Sequence, residues 1–224
     1  MVKVWLIRHG ESEANAGLPT ESPVKTPLTE LGHIQAKQVA QSFPQTPDLI
    51  VTSPYWRTQQ TADPTLARFP TVPHQEWLVQ EFTYLAPSRY VGSTIMERLP
   101  HSDRYWQQND PLFVDGVGAE SFADLIGRAQ VAQAQIQELD VEFAAIFSHG
   151  RFIRAVIWVM LTHLKAGSTI SAKQMQQFYH FIHSFSVPNG SIVELRVEAD
   201  CLWLGRVAVE HLRSSKIADE GKLD

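Results

Sequence analysis

The sequence predicts an α/β fold with a mostly parallel central sheet, helices on both of its faces, an inserted cap segment and a C-terminal β-hairpin. Two observations predict this class. Short apolar runs rich in β-formers recur along the chain, and helical patterns separate them. Polar motifs containing arginine or histidine follow directly after three of these runs. Strands that alternate with helices are typical of a parallel sheet with right-handed crossovers.

The strand predictions follow the chain in order. Residues 2–7, 48–52 and 143–147 are nearly continuous apolar runs, as expected of strands that are covered on both faces. Residues 192–197 and 202–209 are separated by a short polar link, which indicates an antiparallel hairpin on the sheet.

The helix predictions rest on capping residues and apolar spacing. Thr29 can cap a helix whose apolar face contains Leu31, Ile34, Val39 and Phe43. Ser53-Pro54 favours a second helix start, because proline is tolerated at the first helical position. Residues 120–139 and 152–164 carry apolar positions at helical spacing, and we expect helices there too.

Two segments depart from these patterns. Between residues 84 and 118 the periodicity fails and three prolines interrupt a stretch rich in Tyr, Trp and Arg. We interpret residues 84–118 as a cap over the functional site, since long segments of this kind are usually functional. Residues 214–224 are polar, and we expect a flexible tail.

The composition limits the classes of function. With 224 residues, 44% of them hydrophobic, the chain is long enough for one sizeable core, and we expect residues 1–224 to form a single domain. The formal net charge of −5 and the lack of a basic cluster argue against nucleic acid or an anionic membrane as a partner. The one cysteine, Cys201, fits a reducing, cytoplasmic location. No apolar run approaches the ~20 residues that span a bilayer.

The residues that carry chemistry follow the predicted strands. Arg8 and His9 follow the first strand, Arg57 lies in the first turn after the second, and His149 follows the third. The carboxyl ends of parallel strands meet at one edge, so we expect these side chains to converge. Guanidinium groups match phosphate oxygens, and nearby positive charge keeps an imidazole neutral and nucleophilic. The sequence therefore predicts a site for a phosphate dianion, with His9 as the nucleophile.

The motif at residues 6–15, LIRHGESEAN, resembles the Arg-His-Gly signature of the histidine phosphatase (phosphoglycerate mutase-like) superfamily. Further segments agree with that family in the same order: residues 27–29 with 31–32, residues 53–62, residues 118–121 and residues 148–150. The resemblance implies that His9 is phosphorylated and that four residues hold the phosphoryl group, namely Arg8, Asn15, Arg57 and His149. It also implies a carboxylic acid for the leaving oxygen, for which Glu81 is the first candidate and Glu76 the competing one.

We therefore expect a phosphomonoesterase that hydrolyses a phosphorylated small molecule through a phosphohistidine intermediate, without metal or cofactor. Two alternatives stay open. One is phosphotransfer of the cofactor-dependent phosphoglycerate mutase type, and the other is a phosphate-binding or scaffolding module without turnover. Release of phosphate from a generic ester separates the enzymes from the scaffold, and the sequence leaves a monomer and a homodimer open.

Other residues receive weaker functional interpretations. We expect Glu11 and Ser12 to line the mouth of the site. Arg151 and Arg154 could extend the anion site, but a solvated helix face is the simpler expectation. His180 and His183 have a spacing that could hold a metal on a helix, but packing is the simpler expectation. The cap segment could bind the alcohol portion or a second anionic group through Tyr84, Arg89, Tyr90, Arg98, Arg104, Tyr105 and Trp106.

Overall fold

The computed structural model describes residues 1–165, 167–199 and 201–215. Within them, the strands are β1 (Val2–Arg8), β2 (Leu49–Thr52), β3 (His74–Glu76), β4 (Phe143–Ser148), β5 (Ile192–Glu198) and β6 (Cys201–Ala208). The α-helices are α1 (Glu30–Ser42), α2 (Trp56–Arg68), α3 (Ile95–Gln108), α4 (Phe122–Gln137), α5 (Gly150–Thr162) and α6 (Ala172–Ser184). Short 3₁₀ turns cover Pro87–Arg89 and Glu210–Ser215.

The strands form one sheet in the order β3-β2-β4-β1-β5-β6. Strands β1 to β4 run parallel, while β5 pairs antiparallel with both β1 and β6. The predicted mostly parallel sheet and the C-terminal hairpin are therefore confirmed. Because β1, β2 and β4 are adjacent and parallel, their carboxyl ends lie side by side at one edge of the sheet.

Helices cover both faces of the sheet, as predicted. Along β1, Val4 and Leu6 belong to a core that includes α4, α5 and α6, whereas Trp5 and Ile7 pack on the other face with side chains of α1 and α2. This alternation follows from the two-residue period of a strand. A sheet that is buried on both faces gives the residues at its carboxyl edge a rigid base.

Several predicted helix boundaries need correction. Thr29 caps α1 through its side chain, as expected, but Leu31 and Ile34 are 42% and 40% exposed and do not belong to its buried face. Helix α2 begins at Trp56 and not at Ser53-Pro54, because the Ser53 side chain is used for local hydrogen bonds to Tyr55 and Thr58. Helix α5 begins at Gly150, two residues before the predicted start.

The cap segment, residues 84–118, contains the turn Pro87–Arg89 and helix α3, which opens with a capping box between Thr94 and Glu97. Tyr84, Tyr105 and Trp106 are buried and in ring contact with one another, which attaches the segment to the core under α4 and α6. Of the predicted tail, residues 216–224 lie outside the described residues. No helix within the described part of the chain is long and apolar enough to span a membrane.

Candidate active site

The sheet topology brings the predicted site residues together. His9 directly follows β1, His149 directly follows β4, and Arg57 lies in the first turn of α2, which follows β2. The rings of His9 and His149 are 5.1 Å apart between centroids, and Nε of Arg57 is 3.2 Å from Nε2 of His9. Three segments that are distant in the sequence therefore contribute to one buried cluster.

The hydrogen bonds of His9 define which ring nitrogen carries the proton. Nδ1 is 2.7 Å from the carbonyl oxygen of Gly10, which can only accept, so Nδ1 donates. Nε2 accepts the N–H of Arg57 Nε. The lone pair of the neutral imidazole is thus on Nε2, in a cavity that Arg8, Arg57 and Glu81 also line.

The loop after β1 is held by close packing around Gly10. A Cβ at Gly10 would lie 2.5 Å from the carbonyl oxygen of Gly32, so a larger residue would displace the backbone beside His9. The N–H of Gly10 donates to Thr61 Oγ1 at 3.0 Å. From the other side, Asn189 donates to the carbonyl oxygens of His9 and Gly10 at 3.1 and 3.2 Å. The position of the His9 ring is therefore set by contacts from α1, α2 and the segment before β5.

Burial and charge keep both histidines neutral. Burial first, and then the charges of Arg57 and Arg8, lower the pKa of His9 well below its usual range, although its hydrogen bond to Gly10 opposes the shift. Burial and the positive charge of Arg57 lower the pKa of His149 in the same way. A neutral imidazole with a lone pair is the form that can act as a nucleophile.

Arg8 reaches the site from the last position of β1. Its NH1 donates to the carbonyl oxygen of Val187 at 2.6 Å, while its Nε has no hydrogen-bond partner among the described residues. A Cβ at Gly150 would lie 3.1 Å from this Nε, so the glycine that begins α5 leaves room for the guanidinium. Burial lowers the pKa of Arg8 to about 10, which reflects the cost of holding this charge away from water.

His149 is anchored by hydroxyl groups. Its Nε2 is 2.7 Å from Ser53 Oγ, which in turn lies 2.9 Å from Thr58 Oγ1. Its Nδ1 is buried and has no hydrogen-bond partner among the described residues. The ring is therefore fixed through one nitrogen, and the other is left without a partner close to His9.

Glu81 is positioned by backbone groups at the start of α5. Its carboxylate accepts N–H groups from Phe82, Phe152 and Arg151 at 3.0, 3.2 and 3.3 Å. Two N–H groups in the first turn of α5 thus point at the Glu81 carboxylate. Glu81 lines the cavity, whereas Glu76 is exposed on β3 and hydrogen-bonds only weakly with Gln59 at 3.5 Å. Of the two carboxylates, only Glu81 lies beside the histidines.

Asn15 lies at the rim of the cavity. Its Oδ1 accepts hydrogen bonds from the backbone and side chain of Ser12 and from Asn189, so its amide N–H₂ is free to face a ligand. Ser12 lines the cavity, as predicted. Glu11 does not, because its carboxylate accepts from Thr29 at the start of α1.

The cavity is small and extends from His9 toward the cap segment. It has a volume of about 180 Å³, and from the cap segment Tyr84, Tyr90 and Arg98 contribute to its lining. The other cap residues that were singled out lie elsewhere: Arg89 pairs with Asp115, Tyr105 and Trp106 are in the core, and Arg104 lines a separate cleft.

The position of Arg151 differs from the simpler expectation of a solvated helix face. The residue lines the cavity, and its guanidinium carbon is 4.8 Å from the ring centroid of Tyr84. Arg154, one turn further along α5, turns away and donates to the carbonyl oxygen of Phe185 at 2.7 Å.

The histidines of α6 do not form a metal site. His180 and His183 are exposed and pack against Tyr179. In the part of the chain that the structure describes, no three His, Cys, Asp or Glu side chains come together as metal ligands.

The fold and the site define an α/β protein with a buried cluster of two histidines and two arginines at the carboxyl edge of the sheet. The chain belongs to the histidine phosphatase superfamily (branch 1), whose family model matches residues 4–209. The resemblance seen in the sequence motifs is confirmed.

Similarity to individual relatives is more limited. A protein described as "Probable phosphoglycerate mutase GpmB" from Photorhabdus laumondii subsp. laumondii is 44% identical over 64 residues, which cover 28% of this chain and 30% of that protein. Phosphoserine phosphatase 1 of Hydrogenobacter thermophilus is 31% identical over 131 residues, which cover 58% of this chain and 62% of that protein. Both alignments span less than two thirds of the relative.

Solved structures confirm the fold over nearly the whole chain. A phosphoserine phosphatase variant from Entamoeba histolytica, in complex with phosphoserine, has a TM-score of 0.71 at 23% identity and covers 95% of this chain and 100% of its own. The α-ribazole phosphatase from Shigella flexneri has a TM-score of 0.70 at 23% identity, with 94% and 97% covered.

Residues that position the histidines, without lying in the predicted site themselves, were not predicted from the sequence. Asn189 and the hydroxyl of Ser53 hold the loop of His9 and the ring of His149, yet each is a single polar residue without periodic signal. The sequence leaves Arg151 and Arg154 open as extensions of the anion site, and the place of Arg151 in the first turn of a helix that starts at the site favours it over Arg154.

Proposed function

We propose that this chain is a phosphomonoesterase that transfers the phosphoryl group of a small phosphorylated metabolite to Nε2 of His9 and then to water. The observation that carries the proposal is the tautomer of His9. Its Nδ1–H is bound to Gly10, and its Nε2 lone pair accepts from the guanidinium group of Arg57 in a cavity that Arg8 also lines. A binding module needs cations for a phosphate but no nucleophile with this orientation.

In the first step, Nε2 of His9 attacks phosphorus while the bond to the ester oxygen breaks. Arg8, Arg57 and the free Nδ1 side of His149 bind the equatorial oxygens, where negative charge develops. Asn15 binds an oxygen from the rim through its amide. Because the cationic groups are fixed by the protein before the substrate arrives, little reorganisation is needed in the transition state.

Glu81 supplies the proton that the leaving oxygen requires. A doubly negative ester next to its carboxylate favours uptake of one proton by the complex. The carboxyl group then gives this proton to the departing alkoxide as the P–O bond breaks. In the second step the ionised carboxylate takes a proton from water, which attacks the phosphohistidine and releases inorganic phosphate and neutral His9.

The size of the cavity supports a small substrate. Its volume of about 180 Å³ lies below the ~300–1,000 Å³ that is common for drug-sized ligands. The mechanism uses no metal ion. We also propose a cytoplasmic location and no nucleic-acid partner, which the single cysteine and the net charge of −5 support.

The test is phosphate release from p-nitrophenyl phosphate in the presence of a chelator, together with acid-labile labelling by a ³²P-labelled ester. The wild-type protein should hydrolyse p-nitrophenyl phosphate and should become labelled by the ³²P-labelled ester. His9→Ala should lose activity by on the order of 10³-fold or more and lose the label. The exposed residue His33 provides the control, since His33→Ala should keep both. Turnover without a label, or a label that persists in His9→Ala, would place the nucleophile elsewhere.

A mutase activity is the second candidate, because the 44% identical segment is shared with a protein described as a probable phosphoglycerate mutase. Incubation with 3-phosphoglycerate and its bisphosphate distinguishes the two. A hydrolase releases inorganic phosphate, whereas a mutase interconverts the monophosphates with little release.

A further inference from the structure

We propose that Arg151 binds a carboxylate on the leaving group, so that the substrate class is a phosphate ester of a small hydroxy acid. This inference rests on the proposed hydrolase function. It starts from Arg151, for which a solvated helix face is the simpler expectation from the sequence and which lines the cavity in the structure.

The backbone of Arg151 fixes its place relative to the chemistry. Its N–H donates to Oε2 of Glu81 at 3.3 Å, and Glu81 is the group that would protonate the leaving oxygen. Its guanidinium lies over the ring of Tyr84, which projects into the cavity from the start of the cap segment. Arg151 therefore stands beside the leaving group, whereas Arg8 and Arg57 stand beside the nucleophile.

The charges of the cavity lining leave one cation without an anion. Within the part of the chain that the structure describes, four arginines line the cavity, and the only carboxylate in the lining is that of Glu81. Among the described residues, ion pairs with carboxylates are formed by Arg89, Arg128 and Arg206, and by none of these four. A phosphate monoester supplies two negative charges, so that at least one positive charge remains unmatched, and a second one remains while Glu81 holds the proton for the leaving oxygen.

The four arginines differ in how the protein holds them. Arg8, Arg57 and Arg98 each donate to a backbone carbonyl oxygen, of Val187, Pro23 and Ser93 respectively. Arg151 instead contacts the Tyr84 side chain, over whose ring it lies and with which it forms a hydrogen bond, and this contact adds no negative charge. A buried cation that lacks an anion is costly, and a guanidinium fork matches a carboxylate geometrically. The guanidinium of Arg151 is thus available to bind a carboxylate of the ligand.

The experiment compares two esters that differ only at this group. In 3-phosphoglycerate a carboxylate stands where glycerol 3-phosphate has a hydroxymethyl group. The wild type should prefer 3-phosphoglycerate in kcat/KM by tenfold or more, and Arg151→Gln should reduce that ratio by about ten- to hundredfold. Arg151→Lys keeps the charge and should restore part of the preference. The matched control is Arg154→Gln on the same helix, outside the cavity lining, which should keep the wild-type ratio.

Turnover of p-nitrophenyl phosphate by each preparation distinguishes the possible failures. If the wild type hydrolyses the aryl ester but shows no preference for 3-phosphoglycerate, or if Arg151→Gln lowers kcat/KM for both natural-type esters equally, the inference is wrong and the hydrolase function stands. If the wild type hydrolyses none of the three esters, the proposed function fails and the inference fails with it.

Discussion

The neutral state of the two buried histidines should make the stability of the protein depend on pH. In the native protein the pKa values of His9 and His149 lie well below 6.5, mainly because both rings are buried. In the unfolded chain a histidine titrates near pH 6.5. Below that pH the unfolded state therefore binds more protons than the native state, so the free energy of unfolding falls as the pH falls.

The magnitude follows from linkage. A histidine with an unfolded-state pKa of about 6.5 that stays neutral when folded should lower the free energy of unfolding by about 1.9 kcal/mol between pH 7 and pH 5. His9 and His149 together should therefore contribute a loss of about 3.8 kcal/mol. The range from pH 7 to pH 5 lies above the pH values at which most carboxylates titrate. Burial also lowers the pKa of His211, so the wild-type loss contains more than these two contributions.

The measurement is urea unfolding at pH 7, 6 and 5, followed by tryptophan fluorescence, since the chain contains six tryptophans. His9→Asn and His149→Asn should each remove about 1.9 kcal/mol from the pH-dependent loss, whatever they do to stability at pH 7. The exposed control His33→Asn should leave the wild-type dependence in place. If all four proteins lose the same free energy between pH 7 and pH 5, the two histidines are not held neutral by burial and the argument for a neutral nucleophile is refuted.

Two further predictions test the acid and the packing around the site. Glu81→Gln should slow esters with poor leaving groups by about 10²–10⁴-fold and leave aryl esters less affected, and an equal loss for both in steady-state assays would remove Glu81 from the role of acid. Gly32→Ala should destabilise the fold by about 1–3 kcal/mol or more in urea unfolding, because the new Cβ would lie 2.0 Å from the carbonyl oxygen of Glu11. Gly127→Ala, in open space within α4, should instead stabilise by about 0.5–1 kcal/mol, and the same sign for both glycines would contradict the contact analysis.

The parts of the fold that were predictable are those with a strong periodic signal. Strands β1, β2 and β4 are buried along most or all of their length, so their sequences are continuous apolar runs. Strand β3 was missed because its three residues, His74–Glu76, are exposed and polar and pair only with β2 at the sheet edge. Its formation depends on a neighbouring strand and not on its own sequence.

The core of the site was predictable for a topological reason. Residues that directly follow adjacent parallel strands must meet, and this rule alone joins His9, Arg57 and His149 before any side chain is placed. The same rule does not choose between Glu76, which ends β3, and Glu81, which lies in the irregular segment after β3. That choice required the contacts of the Glu81 carboxylate with the N–H groups of Phe152 and Arg151.

Specificity, in contrast, depends on side-chain direction within a short segment. Arg151 and Arg154 are three residues apart on α5 and have the same chemistry, yet Arg151 faces the cavity and Arg154 donates to Phe185. The helix pattern could not separate them, since residues three apart lie near one face. What separates them is that α5 begins at Gly150, so that Arg151 lies in the first turn, where the helix meets Glu81. The position of a helix start therefore decides which of two arginines can touch a substrate.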